Sequence, residues 1–478
     1  MTCKRRRGAQ GDRQSGKPSS DVDVTLVGNA GIRGHSMALG IDPVASSQSL
    51  PDSVDVVVIG GGIIGASAAF FLAQAGVSVA LCEKGHIAGE QSGRNWGWCR
   101  AAGRDLREIP LILESLRLWR VMNDMVGGET GFRNSGTLFL CDKEADLKRY
   151  EPWLDHAHDY QIDSRLISGK EVALLLPGFS RRFAGGLHTP SDGRAEPQRA
   201  APAIARAVQR HGGTVMTGCA VRSLETSGGR VSGVITEHGA IACQAVVLAG
   251  GAWSRLFCGN LGIGLPQLKV LGSVLRTQPH SGGPEISVVG SDFAFRKRLD
   301  GGYTVAFGSR AIADITPDSF RLLGDFLPAL RKDRRNLQLQ FGRRFFHELV
   351  MPHRWLADRI TPFEHVRVLD PAPSRSFLDK GIATLRRAYP EFRQVEIADA
   401  WGGLIDVMPD IVPIISRVES LPGFFLATGF SGHGFGIGPG AGALVADLVM
   451  NNSPRVDPAP FRLSRFSDGS ALVLGAGL

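Results

Sequence analysis

Three glycines and one carboxylate open the chemistry of this chain. Gly60, Gly62 and Gly65 stand in G-x-G-x-x-G spacing, and Glu83 follows by about twenty residues. Glycines so spaced bring backbone N–H groups up to a pyrophosphate. Gly60 permits a tight turn, Gly62 leaves no Cβ between backbone and phosphate, and Gly65 lets the following helix lie close to the strand before it. A carboxylate at Glu83 can accept both hydroxyls of a ribose and would repel the added phosphate of NADP. The implied ligand is an adenine dinucleotide. In a chain with 61 glycines the pattern arises easily by chance, so the flanking elements decide whether it is real.

Those elements are in place. Residues 54–59 form an apolar, β-branched run suited to a buried parallel strand. Residues 66–75 read as a small, apolar helix that Gly76 ends, its positive N-terminal end towards the phosphates. Residues 78–82 are the second strand, with Glu83 at its carboxyl end.

At 478 residues, 43% hydrophobic and 21% charged, the chain has room for two domains and a large core. No apolar run approaches about 20 residues, so no transmembrane segment is read; no signal-peptide pattern follows the basic start, and a cytoplasmic location is expected. Seven cysteines (Cys3, Cys82, Cys99, Cys141, Cys219, Cys243 and Cys258) lie scattered, without a C-x-x-C pair or zinc spacing; reduced thiols and no bound metal are expected. The net charge of +8 raises a nucleic-acid reading, but residues 1–20 hold six Lys and Arg against Asp12 alone, leaving +3 elsewhere. No basic stripe remains, and nucleic acid is not expected as a partner. Residues 1–50 read as a disordered basic tail outside the fold, with Met37 an alternative start.

Residues 84–104, KGHIAGEQSGRNWGWCRAAGR, form a Gly-rich loop with two tryptophans and three arginines. Either it lines a cofactor and active site, or Trp96 and Trp98 plug the core beneath a surface connector. Residues 106–125 are an amphipathic helix, 137–141 a short strand, 168–176 a helix stopped by Pro177, and 198–210 an Ala-rich helix. Strands at 214–217, 220–224, 230–236 and 241–250 return the chain to a nucleotide-binding sheet. From 267 to 307 the pattern alternates as in antiparallel strands, with a hairpin turn at 299–303. Residues 318–347 carry helical periodicity and many arginines, 377–389 a further helix, 424–429 an apolar strand and 441–450 a last helix behind FSGHGFGIGPG.

Four stretches carry a resemblance: VVVIGGGIIGASAAFFLA with Glu83-Lys84, the loop GEQSGRN, VVLAGGAWS, and ATGFSGHGFGIGPGAGALVADL. Over residues 54–450 the chain resembles the FAD-dependent D-amino-acid oxidase superfamily, which includes glycine oxidase, monomeric sarcosine oxidase and bacterial D-amino-acid dehydrogenase. The resemblance implies an α/β fold. A Rossmann-like FAD-binding domain of glutathione-reductase type would span 51–105, 185–262 and 398–455; an antiparallel-sheet α+β substrate domain would span 106–184 and 263–397, leaving 456–478 as a tail. It implies that Gly60, Gly62, Ile64 and Gly65 hold the pyrophosphate, that Glu83 and Lys84 bind the adenosine ribose, and that Ser92 sits beside phosphates and flavin. Val221 would meet the adenine, with Gly250 near it. Gly429, Gly432, His433 and Gly434 would turn N–H groups and a helix dipole to the pyrimidine edge of the flavin, where reduction leaves negative charge.

Departures from the family pattern matter as much. Relatives that bind flavin covalently use a histidine in the first loop or a cysteine before a Pro-Asp pair; Asn95 and Gly403 stand there, so non-covalent FAD is expected. Relatives hold the substrate carboxylate by an arginine after Trp-x-Gly-Leu or a lysine after SGHGF; Ile405 and Gly436 stand there. By family topology the substitutes are Arg100, and Arg310 with Tyr303 beside it. Arginine suits a carboxylate because its planar fork bonds both oxygens, although each is equally a surface arginine in a solvated pair. No catalytic acid or base is singled out. The function implied is oxidation of the C–N bond of an amino acid or secondary amine by hydride transfer to flavin N5, giving an imine that hydrolyses. Alternatives are a flavoenzyme acting on a hydroxy acid or a tRNA base, and a non-catalytic flavin-binding subunit. The hairpin GGYTVAFGSR lacks the lysine that the sarcosine-oxidase branch places over its flavin, and Lys297 before the turn can face either way. A dehydrogenase using a quinone or a partner redox protein is therefore favoured over an oxidase using oxygen.

Overall fold

The computed structural model describes residues 39–333 and 336–474. Strands β1 (Val56–Ile59), β2 (Val79–Glu83), β3 (Thr214–Thr217), β4 (Ala245–Leu248), β5 (Ile414–Arg417) and β6 (Phe424–Thr428) make one sheet in the order β5-β6-β4-β1-β2-β3. All neighbours are parallel except β5 against β6. Central β1 is wholly buried, and its alternate residues feed two cores. Val56 and Val58 meet a helical layer, while Val57 and Ile59 meet a core that includes Val221, Val234 and Ile241 of a three-stranded antiparallel sheet. A strand covered on both faces must be apolar throughout, as this one is.

The helical layer comprises α1 (Ile63–Gln74), α2 (Ile109–Met125), α3 (Pro197–Arg210) and α4 (Gly434–Met450). Helix α1 is buried from Ile63 to Ala73 because α3 and α4 cover what the sheet does not. The sequence places the start of the last helix at residue 441; it begins instead at Gly434. Its glycines are contact surfaces rather than breakers. A Cβ at Gly438 would lie 2.7 Å from Ile63 and one at Gly442 2.4 Å from Ser67, both on α1. A Cβ at Gly436 would lie 2.9 Å from the Trp98 carbonyl and one at Gly440 2.8 Å from that of Leu111. Two interleaved pairs, each spaced by four, thus let α4 lie close to α1 on one side and, on the other, to α2 and the loop that carries Trp98.

The second sheet has ten strands and is mainly antiparallel. Leu268–Thr277 pairs with Ile397–Val407 along its length, and Ala294–Lys297 with Tyr303–Ala306 across the expected turn. Two pairs are parallel, Thr137–Cys141 with Ser287–Val289 and Ala311–Asp314 with Leu337–Gln340. Two proposed domain edges move as a result. Residues 398–407 and 185–189, assigned from the sequence to the nucleotide-binding half, are hydrogen-bonded into this second sheet. The proposed tails shrink as well. Leu39 and Ile41 are buried, and the Ser47 N–H donates to the Val215 carbonyl at 2.7 Å; residues 1–38, with Met37 and Cys3, lie outside the described residues. Beyond residue 456, Phe461 is buried and Arg465 bonds Asp410 at 2.9 Å. The six described cysteines are free and buried, and no described helix is long and apolar enough to cross a membrane.

Candidate active site

A cavity of about 320 Å³ opens at the carboxyl ends of β1, β2 and β4 and extends under the second sheet, where the ends of parallel strands leave a crevice. Gly60, Gly62, Ile64, Glu83, Lys84, Ser92, Val221, Gly250, Gly432, His433 and Gly434 all line it. At Gly60, with φ +108°, a Cβ would lie 2.4 Å from the Ala249 carbonyl; at Gly62 one would lie 3.0 Å from Ser92 Oγ. The Gly62 N–H has no partner among the described residues, whereas the Ile63 N–H donates to Ser92 Oγ at 2.8 Å. Glu83 is fixed by the N–H groups of Gly61 and Gly85, both at 2.7 Å. Burial pushes its pKa up, against the pull of Lys84 and these two donors.

Three sequence assignments at this end change. Gly65 does not face the cavity; a Cβ there would lie 1.9 Å from the Gly60 carbonyl, so its role is to let α1 meet the turn. Gly429 also stands outside it, because its N–H donates to Asp406 Oδ2 at 2.8 Å. Lys84 lines the cavity, but its ammonium has spent its three donors on Glu90 (2.7 Å) and the carbonyls of Val366 (2.8 Å) and Arg367 (3.0 Å). It clasps the segment at 366–367.

At the far end Trp96, Trp98, Phe139, Val289 and Ile405 form an apolar wall, so both tryptophans line the site. Arg100 stands 5.3 Å from the Phe139 ring, donates to the Ala102 carbonyl, and has its pKa lowered to about 10 by burial. Arg310 is exposed at the cavity wall and has no carboxylate partner among the described residues. Tyr303 is not in the site. It is buried in the second sheet's core, where its hydroxyl donates towards the carbonyls of Gly282 (3.0 Å) and Pro284 (3.3 Å); the strand's alternation turns it away from the cavity. Lys297 pairs with Glu285 at 2.8 Å, outside the cavity. Asn95 braces its own turn, donating to the carbonyls of Gln91 and Ser92 and accepting from the Gly97 N–H. The Trp98 carbonyl leaves no room for a side chain at Gly436.

Two residues that the sequence did not single out complete this end. Arg104 lines the cavity, and Glu108, fully buried beneath it, lies 3.5 Å from Arg104 Nη1 and 3.0 Å from His433 Nδ1. Burial opposes the Glu108 charge, but His433 and Arg104 win and hold its pKa below the ordinary value; burial also lowers that of His433. Against the Glu108 carboxylate, which accepts, His433 Nδ1 is the donor. His433 Nε2, Arg104 Nη1 and Trp98 Nε1, all on cavity residues, are buried without a hydrogen-bond partner among the described residues. Orphaned polar atoms at one end and an open Gly62 N–H beside a ribose-type carboxylate at the other fit an elongated polar ligand of dinucleotide form. The one local signal for Glu108 is its place at the head of the buried stripe formed by Ile112, Ser115, Trp119 and Met122.

A family model described as FAD dependent oxidoreductase (DAO) matches residues 55–448. The solved structure of L-amino acid deaminase from Proteus myxofaciens, in complex with anthranilate, superposes with a TM-score of 0.87 at 35% identity, covering 89% of this chain and 97% of that one. Among curated proteins, mitochondrial dimethylglycine dehydrogenase of Mus musculus is 22% identical over 87% of this chain and 45% of its own length. Sarcosine oxidase subunit beta of Rhodobacter capsulatus is 24% identical over 93% of this chain and 96% of its own. The chain spans about half the length of the first curated relatives it matches.

Proposed function

The chain belongs to the DAO family of FAD dependent oxidoreductases, and from that premise we propose that it oxidises the C–N bond of an amino acid, giving an imine that water converts to a 2-oxo acid and ammonia. The observation that supports this reading is the composition of the cavity lining, which includes two guanidinium groups, Arg100 and Arg310, and the apolar side chains of Trp96, Trp98 and Phe139. That pairing suits a carboxylate beside an apolar side chain. The 35% identity to an L-amino acid deaminase supports the same substrate class.

Gly60, Gly62, Ile64 and Ser92 would hold the pyrophosphate of non-covalent FAD, Glu83 its ribose, Val221 and Gly250 its adenine, and the N-terminus of α4 at Gly432–Gly434 its flavin. Bound FAD supplies the acceptor for the hydride that the Cα–H bond gives up as the nitrogen lone pair closes the C=N bond. The rest falls to the chain. Arg100 and Arg310 hold the carboxylate, and their charges disfavour the ammonium form of the substrate, freeing the lone pair. Trp96, Trp98 and Phe139 exclude water while the C–H bond is oriented. The positive end of α4 favours negative charge near it.

Anaerobic mixing with amino acids, secondary amines and hydroxy acids tests the reading. An amino acid should bleach the yellow flavin and appear as its 2-oxo acid; bleaching by hydroxy acids alone would transfer the chain to the other substrate class. Electrons would then pass to a quinone or redox protein rather than to oxygen, since Lys297 and Lys84 are both committed elsewhere. Reoxidation in air as fast as turnover with a quinone analogue would refute that acceptor.

A further inference from the structure

The helix Arg343–Val350 is turned inside out. Its one buried residue is Glu348, held by Lys269 at 2.7 Å and Arg344 at 3.3 Å. Phe346, Leu349 and Val350, at helical spacing on one face, are 57%, 55% and 77% exposed. In an ordinary surface helix that apolar face would point inward. The patch extends beyond the helix: Phe341 packs on Phe345 (5.1 Å) and Phe346 (5.9 Å), and Phe320 lies 6.5 Å from Phe345. Phe320 and Phe341 are themselves 64% and 59% exposed. Three largely exposed phenylalanines in one cluster call for an occupant.

Charge identifies it. Residues 317–360 carry nine Lys and Arg against five Asp and Glu, a surplus of four that equals the whole net surplus of residues 39–478. Arg321, next to Phe320 in the chain, and Arg343, between Phe341 and Phe345, are exposed. A second copy of the chain, docked through the same face, would set this positive surplus against itself. We infer that this face docks on an anionic lipid bilayer, with the apolar side chains entering the headgroup boundary and the arginines meeting lipid phosphates. The docked segment joins the active site directly, since Arg310 and Ala311 line the cavity and lead into the strand Ala311–Asp314 that pairs with Leu337–Gln340.

The test is sedimentation of the full FAD-bound chain with vesicles of equimolar phosphatidylcholine and phosphatidylglycerol, and with phosphatidylcholine alone. Docking predicts pelleting with the acidic vesicles only, weakened at least about tenfold in Phe346→Ser/Val350→Ser and in Phe341→Ser/Leu349→Ser. Arg343→Glu should weaken it with the apolar face intact. All three variants should keep the flavin spectrum and melting midpoint of wild type, because the replaced side chains are exposed. Wild type remaining in the supernatant overturns the inference. So does equal pelleting of wild type and variants, which would assign lipid binding to the basic residues 1–20. A lipid-free dimer that the serine variants dissociate would give the face to a second copy instead. No substrate enters the assay, so it stands or falls apart from the reaction proposed above.

Discussion

Replacing Glu108 by Gln tests whether charge braces the far end of the cavity. Gln keeps the shape and an oxygen for the His433 Nδ1–H, but leaves the Arg104 guanidinium without its counter-charge where the two side chains are only 2% and 0% exposed. Breaking a buried pair from one side typically costs about 3–5 kcal/mol. Arg104 keeps bonds to the carbonyls of Arg100 (3.0 Å) and His433 (3.4 Å), which points to the low end, about 3 kcal/mol. In Arg104→Met/Glu108→Gln no unpaired charge remains, so the double variant should lose less than the sum of the singles by about 1–3 kcal/mol. Urea midpoints at fixed excess FAD and constant slope read these differences. The sign with pH follows from the depressed Glu108 pKa: its contribution is complete above the ordinary value of 4.5 and is lost as pH falls through the folded-state value. The gap between wild type and Glu108→Gln should close in acid. Single variants within about 0.5 kcal/mol of wild type, or strictly additive losses, would refute the brace.

Glu83→Ala should weaken FAD binding by about 1–3 kcal/mol, the scale for hydrogen bonds to a charged group; titration of the apoprotein checks it, and unchanged affinity would place the ribose elsewhere. Arg310→Met should raise KM for an amino acid strongly, whereas Tyr303→Phe, far from the cavity, should leave KM unchanged; equal KM effects would contradict the placement of Tyr303. Acid precipitation should release all flavin into the supernatant, and yellow pellets would mean covalent attachment despite Asn95 and Gly403. Gly442→Ala should destabilise by about 1–3 kcal/mol through overpacking against Ser67, read as a drop in melting midpoint.

The nucleotide end was legible because its parts are local. β1, the glycine turn, α1 and Glu83 fall within thirty residues, and each answers to a steric or charge demand visible in residue type. The far end was not, because its pairings cross the chain: Glu108 meets His433 over a separation of 325 residues. Tyr303 was misplaced by the ambiguity of strand faces, where one residue of register decides between core and cavity. Lys84 was misjudged because its partners Val366 and Arg367 lie in a segment with no motif of its own. The start of α4 was misread for a different reason. Glycine breaks an isolated helix, yet in this one close contact with two neighbours outweighs that propensity.

The order of strands in the first sheet has a consequence for synthesis. β1 and β2 leave the ribosome before β4, which must cover the open edge of β1 and ends at residue 248, and before α4, which must cover α1 and ends at residue 450. At about 5–20 residues per second, the exposed edge and the apolar surface of α1 would wait roughly 20–70 s for the last of their partners. Through that interval the dinucleotide turn lacks the helix at the far side of the cavity. Yield in cells should therefore depend on holding chaperones during elongation more than on supply of the flavin.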